Sequence, residues 1–223
     1  MVENIGFIGL GSMGSGMAAR LVAMDVPLWV YDTRPDACEP LEREGAIVAE
    51  NVARLGQSCK RIILSLPDVV VVERVLFGEG GLLQSLQPGS DVIDCGTTHP
   101  DKTRDIAQRL MEEDVAFLDA PVSGMETRAA DGTLTIMVGG DAAAYSRCEP
   151  LLKEMGELEK TCALTHDISF HLDDDLLGLG GVEVWFCAAD VLVTSDHGFN
   201  LGHHMLVQAK MLFCTPPNPA LLN

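Results

Sequence analysis

The apolar positions of this chain follow two alternating rhythms. Residues 4–9, NIGFIG, form a short apolar run that breaks into glycines, and the stretch SMGSGMAARLVAM then sets Met13, Met17, Leu21 and Met24 at helical spacing. That predicts a strand, a tight turn and a helix. VPLWVYD (26–32) predicts a second strand ending on Asp32, and RPDACEPLEREGA (34–46) a helix closed by Gly45. Further strands are expected at RIILSLP (61–67), SDVIDCG (90–96), VAFLDAP (115–121) and TLTIMVGG (133–140), with helices such as 100–113 and 141–156 between and after them. Ile, Leu and Val runs alternating with amphipathic helices predict an α/β fold with a doubly wound, mostly parallel sheet.

The rhythm stops near residue 156. The 67 residues that follow hold no arginine, against ten before them, and carry two lysines against nine acids. They hold five of the six histidines, an Asp run at 173–175 and a Pro-rich end, TPPNPALLN. GVEVWFCAADVLV (181–193) is a candidate ordered segment, but no regular helical periodicity emerges. Two parts are therefore expected: an α/β domain over 1–156 and a short atypical C-terminal segment over 157–223.

Charge and composition narrow the classes of function. The net charge of −18 favours solubility and argues against a general nucleic-acid surface, which needs a basic face. No run of 18 apolar residues offers a membrane span. The start, MVENIGFIGLG, lacks a basic leader, so a cytoplasmic location is expected. Seven cysteines stand at wide spacing without C-x-x-C pairs, which fits reduced, buried thiols better than disulfides or a zinc site.

Candidate chemistry begins at GLGSMG, where Gly9, Gly11 and Gly14 satisfy G-x-G-x-x-G. Such spacing is common by chance, but here it follows a strand, opens a helix and precedes an acid, Asp32, at the end of the next strand. Gly9 would permit the turn, Gly11 would let a pyrophosphate approach the backbone, and Gly14 would bring helix and strand together. An anionic ligand in so acidic a chain would find its positive potential at the helix N-terminus. Asp32 would accept hydrogen bonds from ribose hydroxyls and repel a 2′-phosphate, favouring NAD over NADP; Arg34, two residues on, argues the other way. Leu66, Pro67 and Thr97 lie beyond the carboxyl ends of later strands, where such sheets bind ligands, although a plain turn is an alternative reading of each.

These residues, together with ILSLPD, VIDCGTTHP and FLDAPVSGMETRAADGTLTIMVGGD, resemble the β-hydroxyacid dehydrogenase family, which includes 3-hydroxyisobutyrate dehydrogenase and tartronate semialdehyde reductase. The resemblance covers residues 4–156. It implies a Rossmann domain followed by an all-helical domain, and hydride transfer between a nicotinamide and a small 3-hydroxy acid. It also implies that Gly9, Leu10, Gly11, Met13 and Gly14 cradle the cofactor, that Asp32 holds its ribose and that Leu66 and Pro67 pack near it. Thr97 would lie towards the nicotinamide, and Ser123 and Gly124 would hold the substrate carboxylate. Many members have a second glycine where this chain has Met125.

A larger departure is the catalytic lysine, which the family carries in a G-x-G-x-x-x-K segment opening its interdomain helix. No such segment follows Gly156. Lys160, in ELEKTC, and Lys210, in HHMLVQAKMLF, read as solvated lysines, so the catalytic residue is unassigned. The tail reads either as an altered continuation of a truncated dehydrogenase or, less well, as a metal site built on His166, His171, His197, His203 and His204, whose spacing fits no compact zinc motif. A non-catalytic dinucleotide-binding module, acting as a sensor or interaction partner, is the alternative to an enzyme. Without a recognisable helical domain, the family's subunit interface is not legible, and an open cleft is expected.

Overall fold

A computed structural model describes residues 3–24 and 26–160, and beyond them only the backbone of three short strands. The first strands are β1 (Ile5–Ile8), β2 (Leu28–Tyr31), β3 (Ile47–Val48), β4 (Arg61–Leu64), β5 (Ser90–Asp94) and β6 (Val115–Asp119). They lie in the order β3-β2-β1-β4-β5-β6, every neighbouring pair parallel. This is the doubly wound order of dinucleotide-binding sheets, with β1 beside the point where the winding reverses.

Both faces of the sheet are covered, which is why β1 reads IGFI with no polar position. Ile5 and Phe7 of β1 and Ile63 of β4 face one core. That core contains Met17 and Leu21 of α1 (Ser12–Val22), Cys38 and Leu41 of α2 (Pro35–Arg43) and Leu151, Leu152 and Met155 of α7 (Ala142–Met155). Ile8, Ile62 and Leu64 point the other way, onto Leu55 of α3 (Val52–Ser58), Val72 and Leu76 of α4 (Val69–Phe77) and Ile106 and Leu110 of α5 (Pro100–Met111). Period-two alternation along each strand divides the apolar residues between the two layers. Met13 and Met24, expected on the buried stripe of α1, are only partly buried at its two ends.

The strand predicted over 133–140 departs from the parallel pattern. It is β8 (Leu134–Gly140), and it runs antiparallel to β6, pairing Leu118 with Gly140 and Asp119 with Gly139. The same register continues through β7 (Val122–Ser123), where Val122 faces Ile136 and Ser123 faces Thr135. β6 and β7 are thus one strand interrupted at Ala120–Pro121, where proline has no N–H to give the ladder. The hairpin closes over α6 (Met125–Asp131), too short a connection to carry the chain back for a parallel pairing. Beyond it, β9 (Gly156–Lys160) pairs parallel with β8, so sheet pairing runs four residues past Gly156.

The remaining backbone, β10 (Ile168–His171), β11 (Val182–Phe186) and β12 (Val191–Ser195), pairs antiparallel in that order. β11 falls within the segment picked out at 181–193, and β12 begins within it and runs two residues past its end. The histidine cluster and Lys210 lie outside the residues whose side chains are described. No helix among the described residues is long and apolar enough to cross a membrane.

Candidate functional site: a cleft at the β1–α1 turn

Each glycine of GLGSMG meets a different physical demand. Gly9 has a φ of +95°, which side chains with a Cβ rarely adopt, and a Cβ there would also strike the Ser65 carbonyl. At Gly14 a Cβ would collide with the Gly9 carbonyl oxygen, so the first turn of α1 can lie directly on the strand exit. Gly11 differs from both: a Cβ would meet no protein atom within 4 Å. Its missing side chain leaves open space at the N-cap of α1, where no side chain caps the helix. Free N–H groups and the positive end of the helix dipole therefore face that space.

The space belongs to a cleft of about 600 Å³. Gly9, Gly11, Met13 and Gly14 form its floor together with Ser12, and Asp32, Thr33 and Arg34 close one end. Ser65, Leu66 and Pro67, after β4, and Val71, Arg74 and Val75, on α4, form the facing wall. Leu10 is buried behind the floor at 3% exposure and takes part through its backbone.

Asp32 is held in place by that backbone. Its Oδ2 accepts the Leu10 N–H at 2.7 Å and its Oδ1 accepts the Arg34 N–H at 2.9 Å. The Arg34 guanidinium lies farther off, with Nε 3.4 Å from Oδ1 and Nη2 3.4 Å from the Leu10 carbonyl. Burial alone would raise the Asp32 pKa; the two backbone hydrogen bonds and the Arg34 side chain outweigh it and hold the carboxyl below its ordinary value. Asp32 is thus a fixed anion whose remaining lone pairs face the cleft, suited to accepting hydroxyl protons.

The other residues singled out by sequence lie elsewhere along the carboxyl edge of the sheet. Thr97 is exposed, in a loop that Asp94 organises: the buried Asp94 carboxylate accepts the Gly96 N–H at 3.0 Å and the Thr98 hydroxyl at 3.2 Å. Ser123 and Gly124 are partly buried at the tip of the β7 hairpin, with Gly124 at φ +144°. None of these three lines the cleft. Met125 follows at φ +60° with 77% of its surface exposed, an apolar residue in a conformation that favours glycine.

The wall from α4 was not anticipated. Asp68 caps this helix by accepting the Val71 N–H at 2.9 Å, which makes SLPD a helix-start signal as well as a strand end. The run VVVVERVLF has only two polar residues, adjacent to one another, so its periodicity could not show that Val71, Arg74 and Val75 turn towards the cleft. No lysine among the described side chains lines it. Lys160 is the last residue of β9.

The family model for the NAD-binding domain of 6-phosphogluconate dehydrogenase matches residues 4–166. The mitochondrial 3-hydroxyisobutyrate dehydrogenase of Mus musculus is 38% identical over 152 residues, covering 68% of this chain and 45% of its own. The 2-hydroxy-3-oxopropionate reductase of Escherichia coli strain K12 is 39% identical over 154 residues, covering 69% and 52%. A crystal structure of 3-hydroxyisobutyrate dehydrogenase from Salmonella typhimurium superposes with a TM-score of 0.67 at 31% identity, covering 71% of this chain and 55% of that one. The chain spans about half the length of the curated relatives it matches. Sequence, strand order and turn geometry agree: the chain belongs to the family of NAD-binding domains typified by that of 6-phosphogluconate dehydrogenase.

Proposed function

We propose that this chain binds NAD in the β1–α1 cleft and serves an oxidoreductase that moves hydride between the nicotinamide and a small 3-hydroxy acid. One observation carries the reading. Gly11 opens onto empty space at an uncapped helix N-terminus, while the glycines on either side are forced by protein contacts. A backbone cradle of that kind fits a pyrophosphate, which needs N–H donors and no intervening Cβ.

In this reading the first-turn N–H groups of α1 hold the pyrophosphate and Asp32 accepts the ribose hydroxyls. Leu66 and Pro67 pack against the dinucleotide. The bound nicotinamide supplies or receives the hydride. Thr97 stands towards it, on the loop that Asp94 holds, and the Ser123 hydroxyl and Gly124 N–H take the substrate carboxylate. The partner is a small-molecule acid, the location cytoplasmic, and residues 1–156 act as the dinucleotide domain ahead of the tail. The proton donor and acceptor is unassigned.

The test is calorimetric titration of the full chain with NAD, followed by NADH formation over a panel of small 3-hydroxy acids. Binding with turnover supports the whole reading. Binding without turnover supports the alternative, a dinucleotide-binding module. Absence of NAD binding overturns both.

A further inference from the structure

Arg128 of α6 is partly buried, yet its side chain has no hydrogen-bond, ion-pair or ring partner among the described residues. By contrast, Arg34, Arg43, Arg61, Arg104, Arg109 and Arg147 face carboxylates. Arg20 donates to the Glu154 carbonyl, Arg54 lies over the Trp29 ring, and Arg74 is exposed. We propose that Arg128 is the counter-ion of the substrate carboxylate, completing with Ser123 and Gly124 a site that takes a small 3-hydroxy acid only as its anion. This rests on the function proposed above and adds the charge on which the hairpin tip selects its substrate.

The stem of Arg128 lies directly on the loop. A Cβ at Gly124 would stand 2.8 Å from Arg128 Cδ and 2.9 Å from Arg128 Cβ, so the missing side chain is what lets the arginine cross this residue. The guanidinium begins at the next atom beyond Cδ and stays beside Gly124 however its last torsions turn. Its backbone is fixed from two sides. The Arg128 carbonyl accepts the Thr133 N–H at 3.0 Å, and the adjoining Ala129 and Ala130 press against Gly16 of α1, where a Cβ would come within 2.9 Å of the Ala130 nitrogen. The cation is thereby tied to the helix whose N-terminus forms the cleft floor. Ser123, one residue before Gly124, has a hydroxyl that bonds to no described residue.

The acids nearby leave the charge unused. Glu126 and Asp131 share α6 with Arg128, but both are exposed and neither pairs with it. A half-buried guanidinium without a counter-ion has given up part of its hydration for nothing, a cost that an incoming carboxylate offsets. The planar fork of N–H groups matches the two carboxylate oxygens, leaving their other lone pairs to the Ser123 hydroxyl and the Gly124 N–H. An amide of the same acid offers neither the charge nor the second acceptor oxygen. In a chain of net charge −18, a local cation also answers the general repulsion that any anionic substrate meets.

The experiment is calorimetric titration of the full chain, saturated with NAD, with 3-hydroxyisobutyrate and with its amide. The wild type should bind the acid about tenfold or more tightly than the amide, the size of one charge-assisted hydrogen bond. Arg128→Met keeps a stem of similar length on Gly124 and removes the charge, and should bring the acid-to-amide ratio to within about threefold of one. Equal affinities in the wild type, or a ratio that survives in Arg128→Met, overturns the proposal. Taking ratios cancels any general loss of folded protein. Acid bound with a ratio indifferent to Arg128 ends this inference alone. NAD bound with both acid and amide refused ends the hydroxy-acid part of the proposed function and this inference with it, and refusal of NAD ends the whole.

Discussion

The Leu10 N–H donates to Oδ2 of Asp32 at 2.7 Å, joining the turn after β1 to the end of β2 across 22 residues of chain. The bond does two things at once. It fixes the acid at the edge of the cleft, and it occupies a turn N–H that would otherwise lie buried without a partner. Asp32→Ala should therefore weaken NAD binding by about tenfold or more and also lower stability by about 1–2 kcal/mol. Titration calorimetry and denaturant unfolding read the two effects separately.

The same acid makes a prediction about pH. Its folded pKa lies below the ordinary value, so its contribution to stability is fully present above the unfolded pKa of about 4 and is lost as pH falls through the lower folded value. The stability difference between the wild type and Asp32→Asn should be constant at neutral pH and shrink below about pH 4. Melting curves from pH 7 downwards check the sign; a difference that grew on acidification would contradict it.

Gly11 and Gly14 should separate function from folding. Gly14→Ala drives a Cβ into the Gly9 carbonyl and should cost about 2–3 kcal/mol of stability. Gly11→Ala meets no protein atom and should unfold within about 0.5 kcal/mol of the wild type while losing about tenfold in NAD affinity. Equal stability losses in the two variants would refute the division of labour.

Met125 holds a left-handed conformation with most of its side chain in solvent. Met125→Gly removes a backbone penalty of about 1–2 kcal/mol against an entropic cost of roughly 0.5–1, so a net gain of up to about 1 kcal/mol is expected. Thermal unfolding should show a melting temperature raised by a few degrees, on the order of 2–4 °C.

Four cysteines, Cys38, Cys59, Cys95 and Cys148, are free and buried. Burial pushes the Cys59 and Cys148 thiols up to about 12, and the Cys95 thiol higher still, with Asp94 and Asp119 adding to the effect. All four should resist a thiol reagent at neutral pH and react together on unfolding, as peptide mass spectrometry after timed labelling would show. Cys162, Cys187 and Cys214 fall outside the described residues.

Much of this fold is legible in the sequence. The apolar runs located β1, β2, β4, β5, β6 and β8, because a strand covered on both faces is built mainly from Ile, Leu and Val. The direction of β8 was not legible, since the same seven residues, LTIMVGG, would serve a parallel or an antiparallel neighbour equally well. Direction came from the shortness of α6 and from Pro121, features that act only once β6 and β8 are side by side. The short helices α3 and α4 escaped notice for a related reason: seven and nine residues leave too few turns for a stripe to stand out.

By itself, the sequence determined the local geometry of the cleft. Three glycines and an acid at these spacings impose the turn, the close helix and the fixed carboxylate through the backbone, within one strand–helix–strand unit. Tertiary structure alone decided what stands opposite. Arg74 reaches the cleft because β4 pairs with β1 and carries α4 over the turn, placing it beside residues 40 and more positions earlier in the chain. No periodicity records such a neighbour, since strand order is settled by packing the whole sheet between its two layers of helices.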